Sequence, residues 1–157
     1  MTISKRLKDY LKSNKVKFKT LKHKAVYTAQ EIAGAQHVPG KEFIKTIMVK
    51  LNGNKFFMMA MPASCKIDFK KLKSASGAKT VELAKEAEFK SLFPDCDIGA
   101  MPPFGNLYDI PVVVDKTVEE DEKIVFNAGN HKETIMMKYS DFKKLVKPKV
   151  ASFSVHF

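Results

Sequence analysis

Apolar and polar positions alternate along the chain in patterns that predict short helices and strands. Near the start, apolar residues recur at helical spacing, which predicts an amphipathic helix: Ile3, Leu7, Tyr10 and Leu11. The next segment, KVKFKTLKH, alternates lysines with apolar residues, as a strand with one solvent-exposed face does. Thr28 and Glu31 then form a capping box, which predicts that a second helix begins there.

The middle of the chain predicts a hairpin followed by a helix. FIKTIMVKL (43–51) is apolar on both faces, which is typical of a buried strand. Asn52-Gly53 is a turn signal, and KFFMMAMPA returns as the partner strand. Asp68 is a candidate helix cap, and Gly77 is placed to end the helix between them.

The rest of the chain predicts further strands and helices without a regular strand–helix repeat. Strands are predicted for KTVEL, IPVVVD, EKIVFNAG and HKETIMMKY, and helices for AKEAEFKSLF and SDFKKLVK. We therefore predict an α+β fold with a single mixed, largely antiparallel sheet and flanking helices. No linker or internal repeat divides the sequence, so we expect residues 1–157 to form one domain. VASFSVHF is predicted to be either a loose tail or an edge strand.

Composition narrows the class of protein. A hydrophobic fraction of 45% is typical of a globular protein. The sequence has no apolar run of about 18 residues and no apolar segment of signal-peptide length at its start. We therefore expect a cytoplasmic protein with no membrane partner. Cys65 and Cys96 lie far apart and outside any zinc-binding spacing, so we predict ordinary thiols and no metal, although a role for Cys96 near the site stays open.

Positive charge is concentrated at the start of the chain. The net charge is +11, and residues 1–24 carry +8 of it. Such a basic patch indicates attraction to a polyanion, and lysine in place of arginine indicates phosphate contacts without base reading. A solvated lysine-rich helix and strand would explain the same composition.

Three features are candidates for chemistry. Lys45 lies inside an apolar strand. Its ammonium therefore either lines a cleft or reaches solvent while the methylene groups of the side chain stay packed. The loop GAMPPFG (99–105) carries no charge and is stiffened by two prolines, so its amides could cradle an oxyanion or carbonyl oxygen. The turn FNAGNHKE (126–133) includes His131, a possible acid, base or hydrogen-bond donor. A tight structural connection and an ordinary hairpin turn would explain the loop and the turn equally.

Several mechanisms lack sequence support. We find no recognisable Ser-His-Asp or Cys-His arrangement, no dinucleotide fingerprint and no phosphate-binding loop signature. If the protein is an enzyme, we expect it to work without a strong protein nucleophile and without a cofactor.

Taken in order, these segments resemble the YbaK-like prolyl-tRNA editing family of aminoacyl-tRNA deacylases, also found inserted in bacterial prolyl-tRNA synthetases. The similarity runs from about Tyr27 to Phe142. It rests on YTAQEIA, HVPGKEFIKTIMVK, GAMPPFG as a Gly-x-x-x-Pro-x-Gly loop, PVVVD and NAGNHKE. The basic helix and strand of residues 1–24 lie largely outside it.

The resemblance implies hydrolysis of the ester that joins a wrong amino acid to the 3′ end of tRNA, by a positioned water. Lys45 aligns with the family's essential lysine, and Gly99 with the glycine of the loop that contacts the ester. We expect substrate contacts from strand, loop and turn: Thr46, Met101, Pro102, Pro103, Phe104, Gly105, Gly129, Asn130 and His131. We expect tRNA contacts from Lys5, Arg6 and Lys12.

The resemblance leaves the exact activity open. The leading interpretation is a free-standing deacylase that acts on tRNA-Pro carrying a small amino acid, with the tRNA acceptor end and prolyl-tRNA synthetase as partners. The alternative is a non-catalytic tRNA- or synthetase-binding module of the same fold. A small-molecule acyl hydrolase or binding protein is a third interpretation, and it would need no basic patch.

Overall fold

The computed structural model describes residues 4–22 and 41–157. The helices are α1 (Lys5–Ser13), α2 (Phe69–Ser76), α3 (Glu86–Phe89) and α4 (Tyr139–Val146). The strands are β1 (Phe18–Lys22), β2 (Phe43–Leu51), β3 (Lys55–Pro62), β4 (Cys65–Ile67), β5 (Val81–Leu83), β6 (Val112–Asp115), β7 (Lys123–Asn127), β8 (Glu133–Lys138), β9 (Lys149–Ala151) and β10 (Ser154–His156). The helix predicted to begin at Thr28 lies outside the described residues.

The described strands form a mixed sheet in the order β1-β8-β7-β2-β3-β6-β9, with β5 also paired to β2. Four of its pairings are antiparallel, namely β1–β8, β7–β8, β2–β3 and β2–β5. Three are parallel: β2–β7, β3–β6 and β6–β9. The predicted α+β fold with a largely antiparallel sheet is confirmed.

Local sequence signals account for the ends of the elements. The Asp68 side chain accepts hydrogen bonds from the amides of Lys70 and Lys71, which caps α2 as predicted. Gly77 ends α2 in the left-handed conformation, at φ +69°. Asn52 and Gly53 both have positive φ, the requirement of the tight turn between β2 and β3. The predicted helix over AKEAEFKSLF is shorter than expected, because α3 passes into a 3₁₀ turn at residues 90–92.

Apolar side chains pack on both faces of the sheet. We call the first the helix face, because α1 and α4 pack there, with Ile44 and Met48 of β2 and Phe126 of β7 in the same buried cluster. We call the opposite one the Lys45 face. There α2 covers a second cluster that includes Val49 and Met59. Burial of both clusters is the main stabilising contribution to the fold.

The last residues form strands, which confirms the edge-strand interpretation and excludes a loose tail. β9 pairs with β6, and β10 pairs with β4 in a separate two-stranded sheet. The buried Asp115 carboxylate accepts hydrogen bonds from the amides of Phe153 (3.0 Å) and Ser154 (3.1 Å). Asp115 therefore fixes the path of the chain between the two strands.

Within the described part of the chain, no helix has both the length and the apolar character needed to cross a bilayer.

Candidate active site

The loop predicted as a ligand cradle packs against the turn after β7. The amide of Gly129 donates to the carbonyl of Ala100 at 3.0 Å, and the amide of Asp97 donates to the carbonyl of Gly129 at 2.7 Å. His131 Nε2 lies 2.9 Å from the carbonyl oxygen of Ile98. The structure thus brings together two segments that lie about thirty residues apart in sequence.

Gly99 is the exposed point of this loop. Its φ of +84° is one that residues with a side chain rarely adopt, and a Cβ there would lie 3.6 Å from His131 Cε1. Within residues 4–22 and 41–157, the amides of Gly99 and Met101 donate no hydrogen bond. Since Pro102 and Pro103 have no amide hydrogen, the loop presents few donors, and of Gly99 and Met101 only Gly99 is an exposed residue in the described part of the chain.

Thr46 of β2 fixes the loop from the sheet. Its hydroxyl donates to the carbonyl of Met101 at 2.8 Å. This bond and the contacts with the turn hold the loop on both sides of Gly99, so the Gly99 amide has a defined position. Preorganised amides of this kind can stabilise a developing oxyanion.

Replacing Thr46 should therefore loosen the loop. We expect Thr46→Val to keep the strand but remove a hydrogen bond worth about 1 kcal/mol, and to lower deacylation roughly tenfold. The rate of amino-acid release from mischarged tRNA is the measurement. Thr20→Val, the same change at an exposed position of β1, is the control. Equal rates for both variants would show that the hydrogen bond from Thr46 to Met101 does not affect the reaction.

Lys45 lies on the other side of the sheet from Thr46, since neighbouring strand residues point to opposite faces. Its ammonium lies 4.9 Å from the centroid of the Phe157 ring. Partial burial lowers its pKa, although the neighbouring Cys65 acts weakly in the opposite direction. Of these two neighbouring residues of β2, Thr46 is the one that contacts the loop backbone.

Asn127 is a polar residue of the site that we did not predict. Ile44 and Phe126 are partners across β2 and β7, and both point to the helix face. Lys45 and Asn127, one residue further along each strand, therefore both point to the Lys45 face. Asn127 is 7% exposed, and its Oδ1 has no hydrogen-bond partner within the described residues. A buried free acceptor beside a lysine is an arrangement that suits a polar ligand.

Asn127 also connects the two parts of the candidate site. It is the last residue of β7, and the turn that holds the loop begins immediately after it. The only sequence signal for it was an asparagine at the end of an apolar strand, which we assigned to the turn.

The turn itself is built by Asn130 and Gly129. The Asn130 side-chain oxygen accepts from the amides of Lys132 (2.8 Å) and Glu133 (2.9 Å), and the residue is 2% exposed. Gly129 has φ +103°, and a Cβ there would lie 3.1 Å from the Cβ of Ser4. Their contacts are structural, whereas His131 is only partly buried and lies beside Gly99.

The second half of the loop is part of the core. Phe104 is fully buried and packs against the rings of Tyr10, Phe126 and Phe142. The expected substrate contact from Phe104 is therefore corrected, because the ring is fully buried. Met101, Pro102, Pro103 and Gly105 are also buried, so these residues shape the loop from within.

The predicted tRNA-binding residues of α1 differ in their environment. Lys5 and Lys12 are exposed. The Arg6 guanidinium instead lies 4.8 Å above the Tyr108 ring and donates to the carbonyl of Leu107 at 3.1 Å. Arg6 therefore already has partners within the protein.

A polar cluster behind the loop attaches α1 to it. The Asp95 carboxylate accepts from the hydroxyls of Tyr108 (2.8 Å) and Ser4 (2.5 Å). Cys96 lies 3.4 Å from the Tyr108 hydroxyl, and burial raises the pKa of its thiol to about 12. At neutral pH this thiol is protonated, which does not suit a nucleophile. The described residues contain no group of three or more His, Cys, Asp or Glu side chains suited to a metal ion.

Comparison with known proteins finds two kinds of similar sequence. The chain is 26% identical over 140 residues to the Multifunctional Ser/Thr-tRNA deacylase ProXp-y of Escherichia coli (strain K12), covering 87% of this chain and 83% of that protein. It is 29% identical over 89 residues to a proline–tRNA ligase of Bacillus cytotoxicus, covering 57% of this chain but 15% of the ligase.

Solved structures show the same fold. A hypothetical protein matches with a TM-score of 0.85 at 20% identity, over 96% of this chain and all of its own length. A crystal structure described as a candidate trans-editing enzyme for prolyl tRNA synthetase matches with a TM-score of 0.82 at 17% identity, over 97% of this chain and 96% of that one. The family model of the aminoacyl-tRNA editing domain matches residues 23–145, so the chain belongs to the aminoacyl-tRNA editing domain family.

Proposed function

We propose that this protein is a free-standing deacylase that hydrolyses the ester of a mischarged tRNA. The observation that carries the proposal is the exposed Gly99 amide, which has no partner among the described residues and is fixed between the Thr46 tether and the turn. Such a donor suits an ester carbonyl oxygen that gains negative charge as water attacks.

The remaining steps follow from the groups around this amide. Water adds to the carbonyl carbon, and the bond from that carbon to the ribose oxygen breaks. The products are a free amino acid and a tRNA with a restored hydroxyl. A positioned water, helped by the substrate's own groups, acts in place of a protein nucleophile, which agrees with the protonated state of the Cys96 thiol.

Lys45 and Asn127 supply polar groups on the Lys45 face. We propose that the Lys45 ammonium attracts the negative charge of the terminal nucleotide or of the transition state. The Oδ1 of Asn127, which has no partner in residues 4–22 and 41–157, is an acceptor for a donor on the bound aminoacyl end, such as its ammonium. His131, beside Gly99, closes the site at the turn.

A small amino acid on tRNA-Pro is the proposed substrate. A synthetase pocket rejects an amino acid that is smaller by one methylene by only about 1–3 kcal/mol, so a second hydrolytic site is needed for accuracy. Serine and threonine are further candidates, because the E. coli relative is named a Ser/Thr-tRNA deacylase.

We further propose a single cytoplasmic domain of residues 1–157, tRNA contacts at Lys5 and Lys12, and prolyl-tRNA synthetase as a partner.

A panel of charged tRNAs tests the function. Labelled alanine, cysteine, serine and threonine on tRNA-Pro, with serine on tRNA-Thr, should reveal release of at least one amino acid. Correctly charged prolyl-tRNA is the control and should stay intact. No release from any tRNA, with tRNA binding retained, would favour the non-catalytic binding module.

A further inference from the structure

A groove lined by lysines lies far from the candidate site. It has a volume of about 220 Å³, and it is formed where β1, β8 and the start of β7 lie side by side. We call it the lysine groove, and its lining residues are Lys17, Phe18, Lys19, Lys123, Met136, Met137 and Lys138.

Three of the four lysines lie on strands and belong to one face of the sheet. Ile124 and Met137 are partners across β7 and β8 and point to the helix face. Lys123 and Lys138, paired with each other, therefore point to the Lys45 face, and so does Lys19, the partner of Met136. These three groove lysines and Lys45 thus lie on the same side of the sheet, whereas α1 packs on the other.

The positive charge of the groove is not neutralised within the described residues. No carboxylate lines the groove, and the ion pairs recorded for residues 4–22 and 41–157 involve other lysines. Lys123 and Lys138 stand directly opposite each other on antiparallel strands, a placement of like charges that costs stability. An anion between them would remove that cost.

The distance between the groove and the candidate site suits an extended ligand. β8 runs from the turn beside His131 to Lys138, and at about 3.4 Å per residue the two lie on the order of 20 Å apart. When the 3′ end of a tRNA lies at Gly99, the tRNA backbone leads away from the turn. Its acceptor stem could then follow β8 to the groove.

We propose that the lysine groove binds the phosphodiester backbone of the tRNA acceptor stem, and that it does so more strongly than the lysines of α1. The inference rests on the proposed function. Lysines contact phosphates without reading bases, and the apolar residues that separate them offer no side-chain donors or acceptors for base edges. Binding at this surface is therefore independent of base sequence.

Two double variants with the same charge change test the groove. Lys19→Glu with Lys138→Glu reverses two groove lysines, and Lys70→Glu with Lys73→Glu reverses two exposed lysines of α2. We expect the groove variant to bind a deacylated tRNA-Pro transcript at least tenfold more weakly at moderate salt. Its slope of log affinity against log salt should fall by between one and two, since each lost phosphate contact removes about 0.7–0.9. The α2 variant should bind as the wild type does. A third variant, Lys5→Glu with Lys12→Glu, should lose less affinity than the groove variant.

A single substitution separates binding from folding. Lys138→Glu places opposite charges across β7 and β8, so its Tm should equal or exceed that of the wild type while its tRNA affinity falls. Equal affinity of the groove and α2 variants, beside a wild type that binds and deacylates tRNA, would overturn the groove alone. A wild type that binds no tRNA would overturn both the groove and the proposed function. Release of amino acid by the wild type, measured in parallel, distinguishes these two outcomes.

Discussion

Lys45→Ala should abolish most of the deacylation. The ammonium is partly buried on the face that also carries the Asn127 Oδ1, an acceptor without a partner among the described residues, so no solvent cation replaces it easily. Losing a preorganised charge at a reaction centre costs on the order of 10²–10³ in rate. We expect a fall of that size in kcat/KM for the amino acid identified by the tRNA panel.

A nearby lysine gives a matched control for this change. Lys66 lies on β4, is exposed, and carries the same charge, so Lys66→Ala should leave the rate unchanged. Lys45→Ala should also keep the wild-type fold by circular dichroism, because the stem of Lys45 is not fully buried. Full activity in Lys45→Ala would remove Lys45 from the reaction and leave it a packing role against Phe157.

Gly105→Ala should have the largest effect on stability. A Cβ at this position would lie 2.3 Å from the carbonyl oxygen of Ile110 and 2.7 Å from Val112 Cγ2. The first of these is backbone, so the chain must move and with it the end of the loop. We expect a loss of about 3 kcal/mol, equivalent to a fall in Tm of roughly 6–12 °C, together with lower activity.

Gly53→Ala is the control for Gly105→Ala. It introduces the same methyl group at φ +80°, but nothing lies within 4 Å of the new atom. Backbone strain alone should cost about 1 kcal/mol. Thermal unfolding of both variants measures the difference, and a Tm for Gly105→Ala as high as that for Gly53→Ala would mean that the contact at Ile110 is relieved without cost.

Local signals predicted the frame of the fold because each acts over a few residues. Asp68 and Gly77 bound a helix for reasons contained in their own side chains and backbone. The apolar run of residues 43–51 predicted a strand, and the two-residue period of a strand alone shows that Lys45 and Thr46 point apart. It does not show which face the loop will contact, since that depends on residues more than fifty positions away.

The errors at the site have the same physical origin. Phe104 in a proline- and glycine-rich loop resembles an exposed residue until the folded chain places three aromatic rings around it. Asn127 carries no motif of its own, and only the folded positions of the described residues show that its Oδ1 is buried without a partner among them. The contact between loop and turn likewise joins segments next to β6 and β7, two strands that are not neighbours in the sheet, so no local pattern predicts it.

The N-terminal helix has a consequence for how this domain can be divided. The family model begins at residue 23, yet Ser4 donates to Asp95 and its amide bonds to the carbonyl of Ala128. Leu7 and Leu11 are fully buried in the cluster on the helix face. A fragment that begins at residue 23 would lose the hydrogen bonds by which Ser4 links Asp95 to the turn. It would also lack the buried side chains of Leu7 and Leu11, which would leave a cavity in the core. The segment matched by the family model is therefore shorter than the folded unit of this protein. A domain moved intact into another protein would have to include α1.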